Sequence, residues 1–146
     1  MKNLIKKFFD NEVLSYLFFG ATTTVVYLGT RLLIFYLTNH TLLSAIIANI
    51  VAIIFAFITN DTIVFKQDRK GWNVRFIKFV VARLGTLFLD VALAALLIDW
   101  FPNIIGQFVN NNRQLINGIE AIFSQVLSIV LNYVFSKLFI FKNKKT

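Results

Sequence analysis

The most informative segment of the chain is residues 115–141, LINGIEAIFSQVLSIVLNYVFSKLFIF. Polar side chains recur in this apolar run at every fourth position: Glu120, Ser124, Ser128, Asn132 and Ser136. Because residues four apart lie on one side of an α-helix, the segment predicts a helix with one polar ridge. A matching ridge, with alanine at most polar positions, occurs 76 residues earlier: Ser44, Ala48, Ala52, Ala56 and Asn60.

The two copies also end alike. The first closes with Val64-Phe65-Lys66 and the second with Ile140-Phe141-Lys142. A duplicated helix with a small or polar ridge and a Phe-Lys end indicates an internal repeat. Each repeat contains two apolar segments, so the copies share one orientation and are predicted to form a parallel pair of helical hairpins.

The composition is that of a membrane protein. Of the 146 residues, 58% are hydrophobic and 17 are Phe, and the mean hydropathy is +0.72. These values are too apolar for a soluble globule. The chain has no cysteine and one histidine, His40, which argues against thiolate or histidine-rich metal sites, cysteine nucleophiles and Ser-His-Asp triads. We therefore expect no enzyme, no catalytic residue, no metal and no cofactor.

Four apolar segments are long enough to cross a bilayer. They cover about residues 14–37, 42–65, 76–98 and 115–141. Each would extend roughly 35 Å as a helix, against about 30 Å for a hydrocarbon core. We predict an all-α polytopic membrane protein, a single domain over residues 1–146, with four transmembrane helices.

Lys and Arg in the connections predict the orientation. Eleven lie on the side of the chain termini, whereas Arg113 lies on the other side. The eleven are Lys2, Lys6, Lys7, Lys66, Arg69, Lys70, Arg75, Lys78, Lys142, Lys144 and Lys145. This bias places both termini in the cytoplasm and the protein in the cytoplasmic membrane. The formal charge of +8 thus reflects membrane orientation and not a nucleic-acid partner.

Two segments outside the spans have amphipathic patterns. Residues 1–12 indicate either a short basic helix on the membrane surface or a solvated start. Residues 99–114 carry apolar side chains at helical spacing, so we expect this outer connection to reach the membrane interface.

Ionisable residues inside the spans cost roughly 2.5–3.5 kcal/mol each on insertion scales, so each needs a partner or a function. The outer half contains Arg31, Asp90 and Glu120. The cytoplasmic end contains Asp61, Arg83 and Lys137. We interpret most of them as ion pairs. Arg31 would pair with Glu120 or Asp90, and Asp61 with Lys137, its equivalent in the second repeat.

Arg83 has two interpretations. Asp90 shares its helix face but lies ~10 Å further along the axis, too far for direct contact. Arg83 therefore either binds a phosphate, whose oxygens fit the guanidinium fork, or joins two helices. The serines and alanines of the ridges are typical of helix packing. Asn60 and Asn132 are larger donors that could bind sugar hydroxyls or a phosphate oxygen.

Several motifs resemble those of the GtrA-like membrane proteins over nearly the whole chain. They are Phe19-Gly20 in span one, Ala52, Ala56, Phe57, Asn60, Val64 and Phe65 in span two, Arg75-Phe76 opening span three, and Asn132, Tyr133, Ser136, Lys137, Ile140 and Phe141 closing the chain. The resemblance implies a protein that moves a polyprenyl-phosphate-linked sugar, typically undecaprenyl-phosphate glucose, to the outer leaflet. There a glycosyltransferase decorates a surface polymer such as O-antigen or teichoic acid.

The resemblance also implies roles for individual residues. The phosphate and sugar would be bound by Arg83, Asn60, Asn132 and Lys137. Separately from the resemblance, the positive charges of Lys66 and Lys142 would attract the phosphate to this site. Packing around them would involve Ala56, Val64, Phe65, Phe79, Ser136 and Phe141. Where the family commonly has a basic residue after the span-two asparagine, this chain has Asp61, which favours the pairing with Lys137. The Lys-, Asn-, Ile- and Phe-rich composition suits an AT-rich genome and a Gram-positive teichoic-acid role.

Two other functions are compatible with the sequence. One is a non-transporting membrane subunit that anchors or stabilises a glycosyltransferase. The other is a small cation exporter, which would depend on a membrane carboxylate such as Glu120. Four helices enclose little volume, so we expect a homo-oligomer in contact with membrane lipids. The small ridge of span two is a candidate interface.

Overall fold

The described part of the chain is helical. The computed structural model describes residues 1–142, with the backbone only of Lys2; Lys144 and Lys145, which contribute to the predicted charge bias, lie outside the described residues. The helices are α1 Lys2–Asp10, α2 Glu12–Thr38, α3 Thr41–Thr59, α4 Trp72–Ala94, α5 Asn103–Gly106 and α6 Arg113–Phe135. No strand occurs among these residues, which confirms the all-α prediction.

Within the described residues, four helices are long and apolar enough to cross a membrane. With their π-helical ends included, they are Glu12–Thr38, Thr41–Val64, Trp72–Trp100 and Arg113–Ile140. Each contains or closely overlaps one predicted segment, with ends that differ by no more than four residues. The predicted number and placement of the spans are confirmed.

Three of the long helices end in a π-helical turn. The turns are Asn60–Val64 after α3, Ala95–Trp100 after α4 and Ser136–Ile140 after α6. The first and third begin 76 residues apart, the offset of the sequence repeat. π-Helical turns are rare in proteins, and those that occur are often found at functional sites. The two related segments therefore share a local widening of the helix as well as a residue pattern.

The start of the chain folds onto α2. Asn11 caps α2, accepting a hydrogen bond from the Leu14 amide at 3.1 Å. The Ser15 hydroxyl donates to the Phe9 carbonyl at 3.0 Å. Phe8, Phe9, Phe18 and Phe19 add edge-on and tilted ring contacts. The first residues are thus helical, and their placement on a membrane surface stays a prediction.

The chain divides into two compact units. The first is Met1–Phe76 together with the chain end from Phe141, and the second is Ile77–Ile140. In the first unit, α2 and α3 pack side by side, joined by a tight turn in which Asn39 takes a left-handed backbone conformation (φ 54°). The single-domain assignment stays a prediction.

Both ridges are buried. In the first unit, Ser44, Ala48, Ala52, Ala56 and Asn60 are buried along α3. In the second unit, Glu120, Ser124, Asn132 and Ser136 are buried along α6, and Ser128 is partly buried. Large apolar side chains of the same helices, such as Ile50 and Phe123, are exposed. The polar and small residues therefore face protein, while the surrounding apolar residues are available to lipid.

Enlarging the small ridge is expected to destabilise the protein. Ala48 is fully buried, so Ala48→Leu forces extra volume into a close helix contact, a change that costs about 1–3 kcal/mol. We expect a lower thermal unfolding midpoint in detergent. Ala121→Leu is the matched control, because Ala121 is exposed on α6 and should leave the midpoint unchanged. Equal effects of the two substitutions would contradict the close packing of α3.

Candidate functional site

A buried ion pair lies at the end of α3. Arg75 donates from Nε to Asp61 Oδ1 at 2.5 Å and from Nη2 to Asp61 Oδ2 at 3.1 Å. The two side chains are 4% and 9% exposed. Such a bidentate contact is the strongest form of arginine–carboxylate pairing. Arg75 is thus the partner of Asp61 within the first unit, and the expected pairing of Asp61 with Lys137 stays a prediction.

Arg75 also fixes the connection between α3 and α4. Its Nη1 donates to the Lys70 carbonyl at 2.9 Å, and its Nη2 donates to the Asp68 carbonyl at 2.6 Å. Gly71 makes the necessary turn with φ of 79°, a left-handed conformation that glycine adopts without steric cost. One guanidinium therefore holds both the side chain of Asp61 and the backbone that follows it.

Aromatic rings hold the end of the chain beside the same connection. Phe65 stacks on Phe141, with ring centroids 4.9 Å apart and planes 10° from parallel. Phe57 lies 6.0 Å from Phe141 and 5.0 Å from Phe76. The structure thus brings together the predicted packing residues Phe65 and Phe141, with Ala56 and Val64 also buried in this unit.

Asn60 keeps one unused acceptor. Its Nδ2 donates to the Ala56 carbonyl at 2.6 Å. Its Oδ1 is buried, and no hydrogen bond to it occurs among the described residues. A buried acceptor without a partner costs about 1–3 kcal/mol. Asn60 is therefore suited to accept a hydrogen bond from a hydroxyl group of a ligand.

In the second unit, Thr86 contacts the backbone of Arg83 and the side chain of Asn132. The Thr86 hydroxyl donates to the Arg83 carbonyl at 3.0 Å and lies 3.2 Å from Asn132 Oδ1. The Arg83 guanidinium carbon lies 5.1 Å from the ring centroid of Phe79, within the range of a cation–π contact. Phe79, Thr86 and Asn132 are buried. The structure thus joins α4 and α6 through polar side chains at this level.

Sequence reasoning missed Thr86 and the partner role of Arg75. Thr86 follows Arg83 by three residues, so helical spacing places both on one face of α4 and was a usable signal. The position of Arg75 beside Asp61 depends on the path of the connecting backbone. Helical spacing carries no information about that path.

The predicted phosphate-binding lysines are exposed. Lys137 Nζ donates to the Tyr133 hydroxyl at 3.3 Å and lies 5.6 Å from that ring centroid. Lys66 Nζ lies 3.2 Å from Asp10 Oδ1 in an exposed ion pair. Lys142 is also exposed. These side chains contribute positive charge at the protein surface and are not buried ligands.

The three ionisable residues assigned to the outer half differ in their polar contacts. Ser124 donates a hydrogen bond to Asp90 Oδ1. Glu120 is 4% exposed, and its Oε1 has no hydrogen-bond partner among the described residues. Arg31 Nη1 donates to the Tyr27 hydroxyl at 3.0 Å. The Tyr27 hydroxyl lies one helical turn from Arg31 on α2, and the expected pairing of Arg31 with Glu120 or Asp90 stays a prediction.

Comparison with known protein families shows which family this chain belongs to. The family pattern described as GtrA/DPMS, transmembrane domain, matches residues 15–141. The chain belongs to the GtrA/DPMS transmembrane-domain family. This confirms the resemblance found in the motifs, and together with the four apolar helices it makes the chain a multi-pass membrane protein.

Relatives of this GtrA/DPMS protein occur in Gram-positive bacteria. A "Cell wall teichoic acid glycosylation protein GtcA" of Listeria monocytogenes serovar 1/2a is 31% identical over 98% of this chain and 99% of its own length. A second Listeria monocytogenes protein of the same name is 29% identical over 92% of this chain and 88% of its length. The "Uncharacterized membrane protein YwcD" of Bacillus subtilis is 29% identical over 89% and 96%. No solved structure matches this chain.

Breaking the Asp61–Arg75 pair in this GtrA/DPMS protein is expected to be costly. Arg75→Ala leaves the Asp61 charge buried without compensation, which costs about 3–5 kcal/mol. We expect a strongly lowered thermal unfolding midpoint in detergent. The control is Asp10→Asn, which removes an exposed pair worth about 0–1 kcal/mol. A drop no larger than that of the control would show that the buried pair does not stabilise the connection.

Proposed function

We propose that this GtrA/DPMS protein translocates a polyprenyl-phosphate-linked sugar, such as undecaprenyl-phosphate glucose, across the cytoplasmic membrane. The sugar would then glycosylate a cell-surface polymer, in the first place teichoic acid. The relatives named for teichoic acid glycosylation support the polymer. The observation that carries the proposal is the contact between the buried Thr86 and Asn132 on two membrane-length helices, with the partly buried Arg83 on the same face of α4 as Thr86.

The cost of burying these groups supports a role in binding. Polar side chains in an apolar medium are unfavourable unless they form hydrogen bonds. An arginine in a membrane span is unfavourable as well, and such residues commonly mark a substrate pathway. A sugar phosphate can form the hydrogen bonds that water would otherwise form with the Arg83 guanidinium and the Asn132 amide. Its phosphate oxygens accept hydrogen bonds from a guanidinium, and its hydroxyl groups form hydrogen bonds with an amide. Arg83 and Asn132 would thus bind the phosphate and the sugar.

The first unit would contribute a second set of contacts. Asn60 Oδ1, which has no hydrogen-bond partner within residues 1–142, would accept a hydrogen bond from a sugar hydroxyl. Asp61 does not oppose phosphate binding, because Arg75 neutralises it within hydrogen-bond distance. The exposed Lys66, Lys137 and Lys142 would attract the phosphate to the surface through longer-range charge. The prenyl chain would stay in lipid.

The proposed topology consists of two parallel helical hairpins with both termini in the cytoplasm. The bias of Lys and Arg toward one side supports this orientation. The π-helical turns that begin 76 residues apart support the repeat. In this arrangement the ends of α3 and α6 lie at the cytoplasmic face, where the lipid-linked sugar is loaded.

The orientation can be tested by labelling. The chain has no cysteine, so single cysteines can be introduced without a background signal. In intact cells, a membrane-impermeant maleimide should label His40→Cys in the turn between α2 and α3. It should label Lys70→Cys only after the cells are opened. The reverse pattern would contradict the proposed orientation.

The proposed mechanism contains no chemical step. The buried polar groups would lower the barrier for the headgroup, and consumption of the sugar outside would drive net transport by passive exchange. We expect the working unit to be a homo-oligomer, possible partners being copies of this chain and a membrane glycosyltransferase. No catalytic residue, cofactor or metal enters this proposal.

Transport can be measured in reconstituted vesicles. The purified wild-type protein should move a polyprenyl-phosphate hexose between leaflets, and lipid mass spectrometry should recover such a lipid with it. Arg83→Ala and Asn132→Ala should each slow transport by roughly ten-fold or more, since hydrogen bonds to charged groups are worth about 1.5–3 kcal/mol. Arg113→Ala is the control, because its side chain is 80% exposed and should have little effect.

Other results would favour the other functions. A wild-type protein that moves no lipid but co-purifies with a glycosyltransferase would favour a non-transporting subunit. A wild-type protein that moves no lipid but exports a cation, with cation export lost in Glu120→Gln and kept in Arg83→Ala and Asn132→Ala, would favour a cation exporter that depends on its membrane carboxylate.

A further inference from the structure

An open pocket lies at the surface of the first unit. Its volume is about 430 Å³, and it is lined by Phe57, Ile58, Asp61, Thr62, Arg69 and Trp72. Ligand pockets in proteins commonly measure about 300–1,000 Å³. Its walls come from the end of α3, the following π-helical turn, the connection and the first residue of α4. We call it the connection pocket.

The polar groups of the connection pocket leave one positive charge uncompensated. Asp61 is neutralised by Arg75. The Thr62 hydroxyl is used, because it donates to the Ile58 carbonyl at 2.6 Å. The Arg69 side chain, in contrast, has no hydrogen bond or ion pair within residues 1–142. The pocket therefore presents a guanidinium beside an aromatic and aliphatic wall.

These features define the chemistry of a ligand. A guanidinium favours an anion with two accessible oxygens, and a phosphate fits this requirement. The faces of the Trp72 and Phe57 rings carry negative partial charge, so they favour the C–H groups of a sugar ring or an isoprenoid. A molecule that combines a phosphate, a sugar and a prenyl chain satisfies both parts of the pocket.

We propose that the connection pocket is the cytoplasmic loading site for the phosphate headgroup of the lipid-linked sugar. This inference rests on the proposed function and extends it to residues outside the Arg83 group. Arg69 binds the phosphate, Trp72 packs against the sugar, and Phe57 with Ile58 contacts the first prenyl units.

The connection is built to hold this site in shape. Arg75 binds the carbonyls of Asp68 and Lys70, the two residues that flank Arg69. The backbone on each side of Arg69 is thus fixed without the Arg69 side chain. Fixing a binding loop before the ligand arrives reduces the ordering cost of binding. Lys70 provides a useful comparison, because its carbonyl belongs to this clamp while its side chain does not line the pocket.

Binding can be followed with Trp72 as the reporter. The chain has two tryptophans, so Trp100→Phe leaves Trp72 as the single fluorescent tryptophan. In this background, the full-length protein in detergent is titrated with undecaprenyl-phosphate glucose. We expect saturable quenching. Arg69→Gln should weaken binding roughly ten-fold or more. Lys70→Gln removes the same charge next to the pocket and should change affinity by less than about two-fold.

Three results would overturn the inference. One is equal binding by wild type and Arg69→Gln, and another is equal weakening by Arg69→Gln and Lys70→Gln, which would indicate unspecific attraction. The third is equal affinity for phosphatidylglycerol or inorganic phosphate, which would assign the pocket to bilayer lipid or free anion. Arg69→Lys, which keeps the charge but loses the fork, should show intermediate affinity if the fold is intact.

The same experiment separates this inference from the proposed function. If the wild-type protein binds the lipid through Arg69 but moves none of it between leaflets, the pocket stands and the transport function fails. If transport proceeds normally in Arg69→Gln with unchanged binding, the transport function stands and the pocket fails.

Discussion

The ion pair of Asp61 and Arg75 is the contact on which the first unit depends. It joins the end of α3 to the start of α4, and its spare N–H groups hold the backbone between them. At an exposed site in a soluble protein, water would compete with each of the two charged groups for its partner. Near the end of an apolar helix, an uncompensated charge is far less favourable than it is in water. The Asp61 carboxylate therefore needs Arg75, and Arg75 reaches it only if the connection follows this path. The aromatic stack of Phe65 and Phe141 then packs against a connection that is already fixed.

The same constraint divides the polar residues of the spans into two classes. Four threonines of α2 donate to the carbonyl one turn earlier: Thr22, Thr23, Thr24 and Thr38. Such side chains satisfy themselves within one helix and say little about function. The contacts of Thr86 and Ser124 reach another helix, and Asn60 and Glu120 retain an oxygen without a partner among the described residues. Polar groups of this second class concentrate on α3, α4 and α6, which is why the candidate sites lie there and not on α2.

Sequence reasoning predicted the features that depend on a single helix. Length and apolarity predicted the four spans, and the four-residue interval predicted two buried ridges, because both properties are periodic along one chain segment. It did not predict the partners of Asp61 and Arg31, or the role of Thr86. Those contacts depend on how a connection turns, on a phenol such as Tyr27 competing for a guanidinium, and on which faces of two helices meet. Helical spacing constrains none of these.

The π-helical turns make the stacking of Phe65 on Phe141 sensitive to the deletion of a single residue within either turn. A π turn contains one more residue than the α-helical turn it replaces, and each residue of an α-helix advances the direction of the next side chain by about 100°. The turn Asn60–Val64 thus determines the direction in which Phe65 leaves the helix, and Ser136–Ile140 does the same for Phe141. Loss of a single residue from either turn would rotate one ring out of the stack. Each turn therefore needs its full number of residues for the rings of Phe65 and Phe141 to stack.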